Sequence, residues 1–234
     1  MANWQLWGCC NHEQVAFVAT IGGYIFAILA LWRTPLLTPF KLITVYLHEA
    51  CHAVACKLTC GHVQGIEVNM NEGGVTHTRG GKPWLILPAG YLGSSFWGMV
   101  LIISSANSTA TRVAAACLGA SLLIVLLIFA KNWFLRFLCL GFICFLVVVW
   151  VLQELTPVHL LRYVILFIGV MNCLFSVYDI YDDLIARRVN TSDAEKFAEL
   201  YSCPCNGLAW GVIWGIISFM FLCASVYIGL VILS

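Results

Sequence analysis

Long apolar runs separated by short polar stretches make up most of this chain of 234 residues. An α-helix needs about 20 apolar residues to cross the hydrocarbon core of a bilayer, and the runs approach that length. Seven such runs are present, at residues 15–32, 39–58, 84–105, 112–130, 132–151, 158–178 and 208–233. The pattern predicts an all-α, multi-pass membrane protein with about seven transmembrane helices.

Two polar stretches have patterns of their own. Residues 63–68 alternate apolar and polar side chains, turn-forming residues follow at 69–74, and a second short alternating run occupies 75–78. Alternation on both sides of a turn is typical of a β-hairpin, so we expect a small hairpin after the second apolar run. Residues 191–201 begin with good N-capping residues and predict a short polar helix.

The composition agrees with a membrane protein. Hydrophobic residues make up 62% of the chain and charged residues only 10%, whereas soluble domains carry about 25% charged residues. So few charges could not cover a water-facing surface, which excludes a soluble enzyme. The net charge of +1 provides no basic field to attract nucleic acid. We therefore expect the lipid bilayer as a partner and no nucleic acid.

The second apolar run carries the sequence HEACH at residues 48–52, an instance of the H-E-x-x-H pattern. Residues four apart share one face of a helix, so His48 and His52 can bind one metal ion. A metal ion lowers the pKa of a water bound to it, and Glu49 is placed to accept the proton. The composition predicts about 0.005 chance occurrences of this pattern. Ionisable groups inside an apolar span are costly and mark function, so we predict a Zn²⁺ site with Glu49 as the catalytic base.

A catalytic zinc usually has three protein ligands, so one more ligand is expected. The end of the sixth apolar run carries three aspartates, Asp179, Asp182 and Asp183. Asp179 lies closest to the apolar run and is the preferred third ligand, with the other two aspartates as alternatives. His62 and His77 in the predicted hairpin are further candidates.

Four stretches of the chain together resemble the site-2 protease family of intramembrane zinc metalloproteases, and most of all its compact B-type branch. They are residues 48–52 (HEACH), 73–81 (GGVTHTRGG), 88–93 (PAGYLG) and 172–183 (NCLFSVYDIYDD). The resemblance spans residues 40 to about 200 and implies zinc ligands at His48 and His52 and a base at Glu49. It also implies an aspartate ligand on a later helix. Asp179 stands in that relation to Asn172, although the proline and glycine of the family's pattern are missing here.

The resemblance further implies a hairpin that guides an unwound substrate strand by edge pairing. The sequence therefore predicts an intramembrane zinc metalloendopeptidase that cleaves membrane-anchored proteins. We expect residues 1–234 to form a single domain with a catalytic core at about 39–183. The missing proline and glycine favour an alternative from a different class, a catalytically inactive metal-binding membrane scaffold or chaperone. A transporter is disfavoured, because the two halves of the chain show no paired broken helices.

Overall fold

The computed structural model describes residues 4–6, 9–184, 192–201 and 206–234, with the side chains of residue 176 and residues 179–184 left out. The described part is mostly helical. In chain order, its elements are α1 (His12–Leu31), α2 (Thr38–Leu58), β1 (His62–Val68), β2 (Gly74–Arg79), α3 (Pro83–Ser104), α4 (Ser108–Ile124), α5 (Trp133–Leu155), α6 (Leu160–Leu184), α7 (Asp193–Leu200) and α8 (Gly207–Ile232). A 3₁₀ turn at Pro35–Leu37 precedes α2, and a π-helical turn at Val125–Phe129 extends α4.

Five helices are long and apolar enough to cross a membrane, which confirms a multi-pass helical fold. They are α1, α3, α4 with its π-helical turn, α5 and α8. A helix also occurs at the other two predicted runs, but α2 is not among the five, and the apolar part of α6 is the shorter stretch Leu160–Phe175. The predicted count of about seven spans is therefore not confirmed. In α2 the reason is its polar content, which includes the buried His48, Glu49 and His52.

Helix α6 runs through the middle of the bundle. Its side chains Leu161, Ile165 and Ile168 are completely buried. Gly98 of α3 lies so close to α6 that a Cβ atom there would be 2.9 Å from the carbonyl oxygen of Gly169. Small residues allow such close helix approach in lipid, where hydrophobic burial gives little drive for association. The contact fixes α3 against α6, and α3 in turn lines one side of α2.

The predicted β-hairpin is confirmed. Strands β1 and β2 are antiparallel, with Ile66 opposite Thr76 and a register irregularity between Val63 and Gly65. In the described part of the chain the sheet consists of these two strands. The outer edge of β1 is partly covered, because the backbone N–H of Lys131 donates to the carbonyl oxygen of Ile66 at 3.0 Å.

The hairpin folds back along α2 instead of extending away from it. At its base, the backbone N–H of Gly61 donates to the carbonyl oxygen of Cys56, near the C-terminal end of α2. At its turn, Glu72 forms an ion pair with Lys41, near the N-terminal end of α2, with an N–O distance of 3.1 Å. Cys56 and Lys41 are about four helical turns apart, so the hairpin flanks most of α2.

The short polar helix predicted at residues 191–201 is present as α7. The side chain of Ser192 accepts a hydrogen bond from the backbone N–H of Glu195, and the Glu195 side chain accepts one from the backbone N–H of Ser192. This reciprocal pair is a capping box, which fixes the start of the helix. Phe197 packs against the rings of Trp210 and Trp214 on α8. The packing holds the first turn of α7 toward the bundle interior.

Candidate metal centre

The two histidines of the HEACH motif lie on one face of α2, as their spacing predicts. Their side chains are 9% and 8% exposed. The Nε2 atoms of His48 and His52 are 3.0 Å apart, and the rings meet edge to face. Two buried imidazole nitrogens at this separation face a common point, as the two ligands of one metal ion do.

Asp193, the first residue of α7, completes a triangle with the two histidines. Its Oδ2 atom lies 2.9 Å from Nε2 of His52 and 3.1 Å from Nε2 of His48. In a tetrahedral zinc site with bonds of about 2.0–2.1 Å, neighbouring ligand atoms are roughly 3.3 Å apart. Two imidazoles and a carboxylate are also a ligand set that catalytic zinc commonly has. The three residues therefore fit a Zn²⁺ ion in both chemistry and spacing.

The carboxyl group of Asp193 is held in its charged form. Burial raises its pKa, but the contacts with His52 and His48 outweigh burial and keep the pKa well below its usual range. A ligating carboxylate must be deprotonated. The environment of Asp193 therefore favours the form that binds metal.

A backbone carbonyl on α3 orients one of the two histidines. Nδ1 of His52 lies 2.7 Å from the carbonyl oxygen of Ile86. Because a carbonyl only accepts, Nδ1 carries the proton in this contact, which leaves Nε2, the atom that faces His48 and Asp193, as the nitrogen that can bind a metal ion. Such outer hydrogen bonds fix the tautomer of metal-binding histidines. The ring of His48 is held by packing instead, edge to face with Tyr91 at a centroid distance of 4.6 Å.

Gly90 brings the backbone of α3 directly against the two histidines. A Cβ atom at this position would lie 2.4 Å from Nε2 of His48 and 2.5 Å from Nε2 of His52. Any side chain here would clash with the metal-facing nitrogens of both histidines. The absence of a side chain at Gly90 therefore keeps room for an ion.

Glu49 lies beside the histidines but faces a different element. Its side chain is buried, and one donor atom from each of His48, Glu49 and His52 lies within 4.8 Å of the others. Oε2 of Glu49 accepts a hydrogen bond of 2.6 Å from the hydroxyl of Thr76 on β2. Glu49 is thus close to the candidate metal position while its carboxylate is anchored to the hairpin. This arrangement suits a proton-transfer group near the ion.

The sequence-predicted third ligand lies outside the described side chains. Helix α6 extends to Leu184 and so contains Asp179, Asp182 and Asp183, but the side chains of residues 179–184 are not described. The assignment of Asp179, with the other two as alternatives, stays a prediction.

The two hairpin histidines are not brought to the site. His62 is exposed at the start of β1. His77 pairs with Glu67 at 3.3 Å, and both side chains are well exposed. Neither histidine is near the His48–His52 pair in the described structure, so the hairpin contributes Thr76 and not a histidine to the site.

Sequence reasoning missed the role of Asp193, which it read only as part of a helix-capping sequence. One signal was available, because Asp193 is the single aspartate of the chain outside the group at 179–183. Its nearest neighbours Ser192 and Ala194 are also buried, at 5% and 1% exposure. Burial of these two residues places the first turn of α7, and Asp193 with it, toward the bundle interior.

The geometry can be compared with known protein families. The model of the Peptidase M50B-like family matches residues 21–225, which include all of α2, the hairpin, α3 and α7. The chain belongs to this family. It is the site-2 protease family, so the resemblance seen in the sequence is confirmed, and the family implies a membrane metalloprotease, generally zinc-dependent. No curated protein and no solved structure matches the chain.

Proposed function

We propose that this protein is an intramembrane zinc metalloendopeptidase that hydrolyses peptide bonds of membrane-anchored proteins. The observation that carries the proposal is the convergence of His48, His52 and Asp193 on one buried point beside Glu49. Membership of a metalloprotease family and the five apolar helices support it.

Nε2 of His48, Nε2 of His52 and Oδ2 of Asp193 would hold the zinc. Asp193 takes the place for which the sequence predicted Asp179, and its contacts with both histidines support this choice. Bound there, Zn²⁺ supplies a Lewis acid that raises the acidity of water and polarises a substrate carbonyl. The carboxylate of Asp193 offsets part of the positive charge in the buried site.

Glu49 acts as the general base and then the general acid. Its carboxylate accepts a proton from the attacking water and afterwards donates a proton to the departing amine nitrogen. The residue is suited to both steps, because it lies beside the histidines without occupying the corner that Asp193 fills. Burial of Glu49 keeps bulk water away from the transferred proton.

Strand β2 offers a docking edge for the substrate. Peptide bonds within a membrane helix have their backbone groups bonded inside the helix, so the substrate must unwind before cleavage. An unwound segment can pair with a free strand edge. Strand β2 pairs with β1 on one side and contacts Glu49 through Thr76. A substrate strand added to β2 would therefore run close to the catalytic residues.

The test compares protein termini in cells that produce wild type or Glu49→Gln. Glutamine keeps the shape of glutamate but cannot accept the proton, so turnover should fall by about 10²–10⁴-fold. Membrane-anchored substrates should then accumulate at full length and co-purify with the variant. Zinc content, measured by elemental mass spectrometry, should be unchanged because Glu49 is not a proposed ligand.

Glu67→Gln is the matched control, since Glu67 is a partly exposed glutamate of the hairpin that pairs with His77 and not with the two histidines of α2. It should give the same termini as wild type. If Glu49→Gln gives every terminus that wild type gives while both bind zinc, the protease proposal is wrong and the inactive metal-binding scaffold replaces it.

A further inference from the structure

Strand β2 presents two residues to α2 that meet the carboxylate of Glu49. Residues two apart share one face of a strand, so Gly74 and Thr76 point the same way. The hydroxyl oxygen of Thr76 lies 2.6 Å from Oε2 of Glu49 and 2.9 Å from the Glu49 carbonyl oxygen. A hydroxyl has one proton to donate. The shorter contact, to the carboxylate, is typical of a charge-assisted hydrogen bond.

Gly74 confines the same carboxylate from the other side. A Cβ atom at Gly74 would lie 2.5 Å from Oε1 and 2.7 Å from Cγ of Glu49. The glutamate side chain is therefore bounded by the backbone of β2 at one oxygen and bonded to Thr76 at the other. A long, flexible side chain is restricted in this way to one arrangement.

The hairpin that carries these residues is itself fixed at two other points. Lys41 and Glu72 join its turn to α2 through a pair whose side chains are 7% and 17% exposed. The bond from Lys131 to Ile66 ties β1 to the start of α5. The position of Thr76 is thus set by elements outside the metal centre.

We propose that Thr76 is a positioning residue for catalysis: its hydroxyl fixes Oε2 of Glu49 and thereby orients the carboxylate for proton transfer, in the space that Gly74 leaves open. This inference rests on the proposed function, in which Glu49 moves the proton. The hairpin then belongs to the catalytic apparatus as well as to the substrate-docking surface. Misplacing a catalytic group by about 1 Å costs up to about 10²-fold in rate.

The experiment uses the purified full-length chain in detergent micelles and a synthetic peptide across a cleavage site mapped by the comparison of termini. Thr76→Val keeps the shape of threonine and removes the hydroxyl. We expect kcat to fall about 10-fold to 100-fold, with KM and zinc content unchanged. Thr76→Ser restores the hydroxyl and should recover most of kcat. Thr20→Val is the matched control, because it removes a threonine hydroxyl that donates to the carbonyl oxygen of Ala16 on α1, outside the hairpin, and it should match wild type.

Gly74→Ala tests the same inference with the threonine intact. The new methyl group displaces the end of the Glu49 side chain, so kcat should fall while zinc stays bound. Gly73→Ala is its control, because a Cβ atom there would come no closer than 3.2 Å, to the side chain of Asn71. In a Glu49→Gln background, Thr76→Val should cause no further loss, since Thr76 acts through Glu49.

The inference is overturned if Thr76→Val keeps the wild-type kcat, if Thr76→Ser does not restore it, or if zinc is lost together with kcat. Should Thr76→Val not fold, a Gly74→Ala variant with normal kcat would overturn it equally. Failure of the proposed function itself looks different, because wild type and Glu49→Gln would then cleave the peptide equally.

Discussion

The hairpin and α7 flank the same helix but complete different parts of its chemistry. Helix α7 brings the carboxylate of Asp193 to the two histidines of α2, from 141 and 145 residues away in sequence. The hairpin brings the hydroxyl of Thr76 to Glu49, only 27 residues away. In the proposed function, one element completes the metal ligands and the other holds the base. Metal binding and proton transfer should therefore be separable by mutation, and the following experiments test that division.

The largest effect is expected on the α7 side. Asp193→Ala removes one of the three proposed ligands, so zinc affinity should fall by more than the roughly 10–100-fold that loss of an outer partner causes, and turnover should be abolished. His48→Ala and His52→Ala should behave alike. Zinc content after dialysis measures the effect, and Asp179→Ala is the comparison. If Asp193→Ala retained zinc and Asp179→Ala lost it, the third ligand would be Asp179 on α6.

A somewhat smaller loss of metal is expected from Gly90→Ala. The added methyl group would lie within 2.5 Å of Nε2 of both histidines and should displace the two imidazoles. We expect zinc affinity to fall about 10-fold to 100-fold, similar to other changes in the outer shell of metal sites. Gly22→Ala is the control, because nothing lies within 4 Å of a Cβ atom there. Unchanged affinity in Gly90→Ala would show that α3 does not border the ion.

On the hairpin side, breaking the Lys41–Glu72 pair should lower stability without removing zinc. Lys41→Met keeps much of the side-chain volume but removes the positive charge of the pair. Removing one partner of a buried ion pair costs about 3–5 kcal/mol, and the 17% exposure of Glu72 places this case near the lower end. Unfolding in detergent monitored by circular dichroism measures the change. The double variant Lys41→Met with Glu72→Gln should recover part of the lost stability. Loss of zinc in Lys41→Met would contradict the separation of metal binding from the hairpin.

The smallest effect is expected at a pair outside both regions. Arg112 and Glu154 form an ion pair of 2.8 Å with 42% and 51% of the side chains exposed. Exposed pairs contribute about 0–1 kcal/mol, so Glu154→Gln should leave stability, zinc content and turnover nearly unchanged. A loss of zinc in this variant would mean that distant surface changes affect the metal centre, and the other variants could not then be interpreted locally.

The sequence predicted those parts of the site that depend on local spacing. His48, Glu49 and His52 lie within two turns of one helix, and the helical period alone brings the histidines together. The hairpin was likewise visible as alternation on both sides of a turn. Asp193 was not predictable in this way, because its position depends on how α7 packs against α8 and α3. The same holds for Thr76, whose contact with Glu49 requires the hairpin to fold back along α2.

The number of spans was the weakest part of the prediction for a related reason. Counting apolar runs treats every long helix as a membrane span. Part of α2, however, carries polar side chains that face α7 and the hairpin. Several of these groups have protein partners, such as Ile86 for His52 and Thr76 for Glu49. A sequence does not show which partners will be there.

The outer edge of β2 is the edge that does not pair with β1. Backbone N–H and C=O groups on a strand edge need hydrogen-bond partners, and hydrocarbon supplies none. On the face of the hairpin that points away from Glu49, Val75 is 47% exposed, and the polar pair His77 and Glu67 is 45% and 37% exposed. Ionisable groups are costly in contact with lipid, so we expect water at this face of the hairpin. In the proposed reaction, the strand that borders Glu49 would then also border the water that hydrolysis consumes, without a gap opening between the helices.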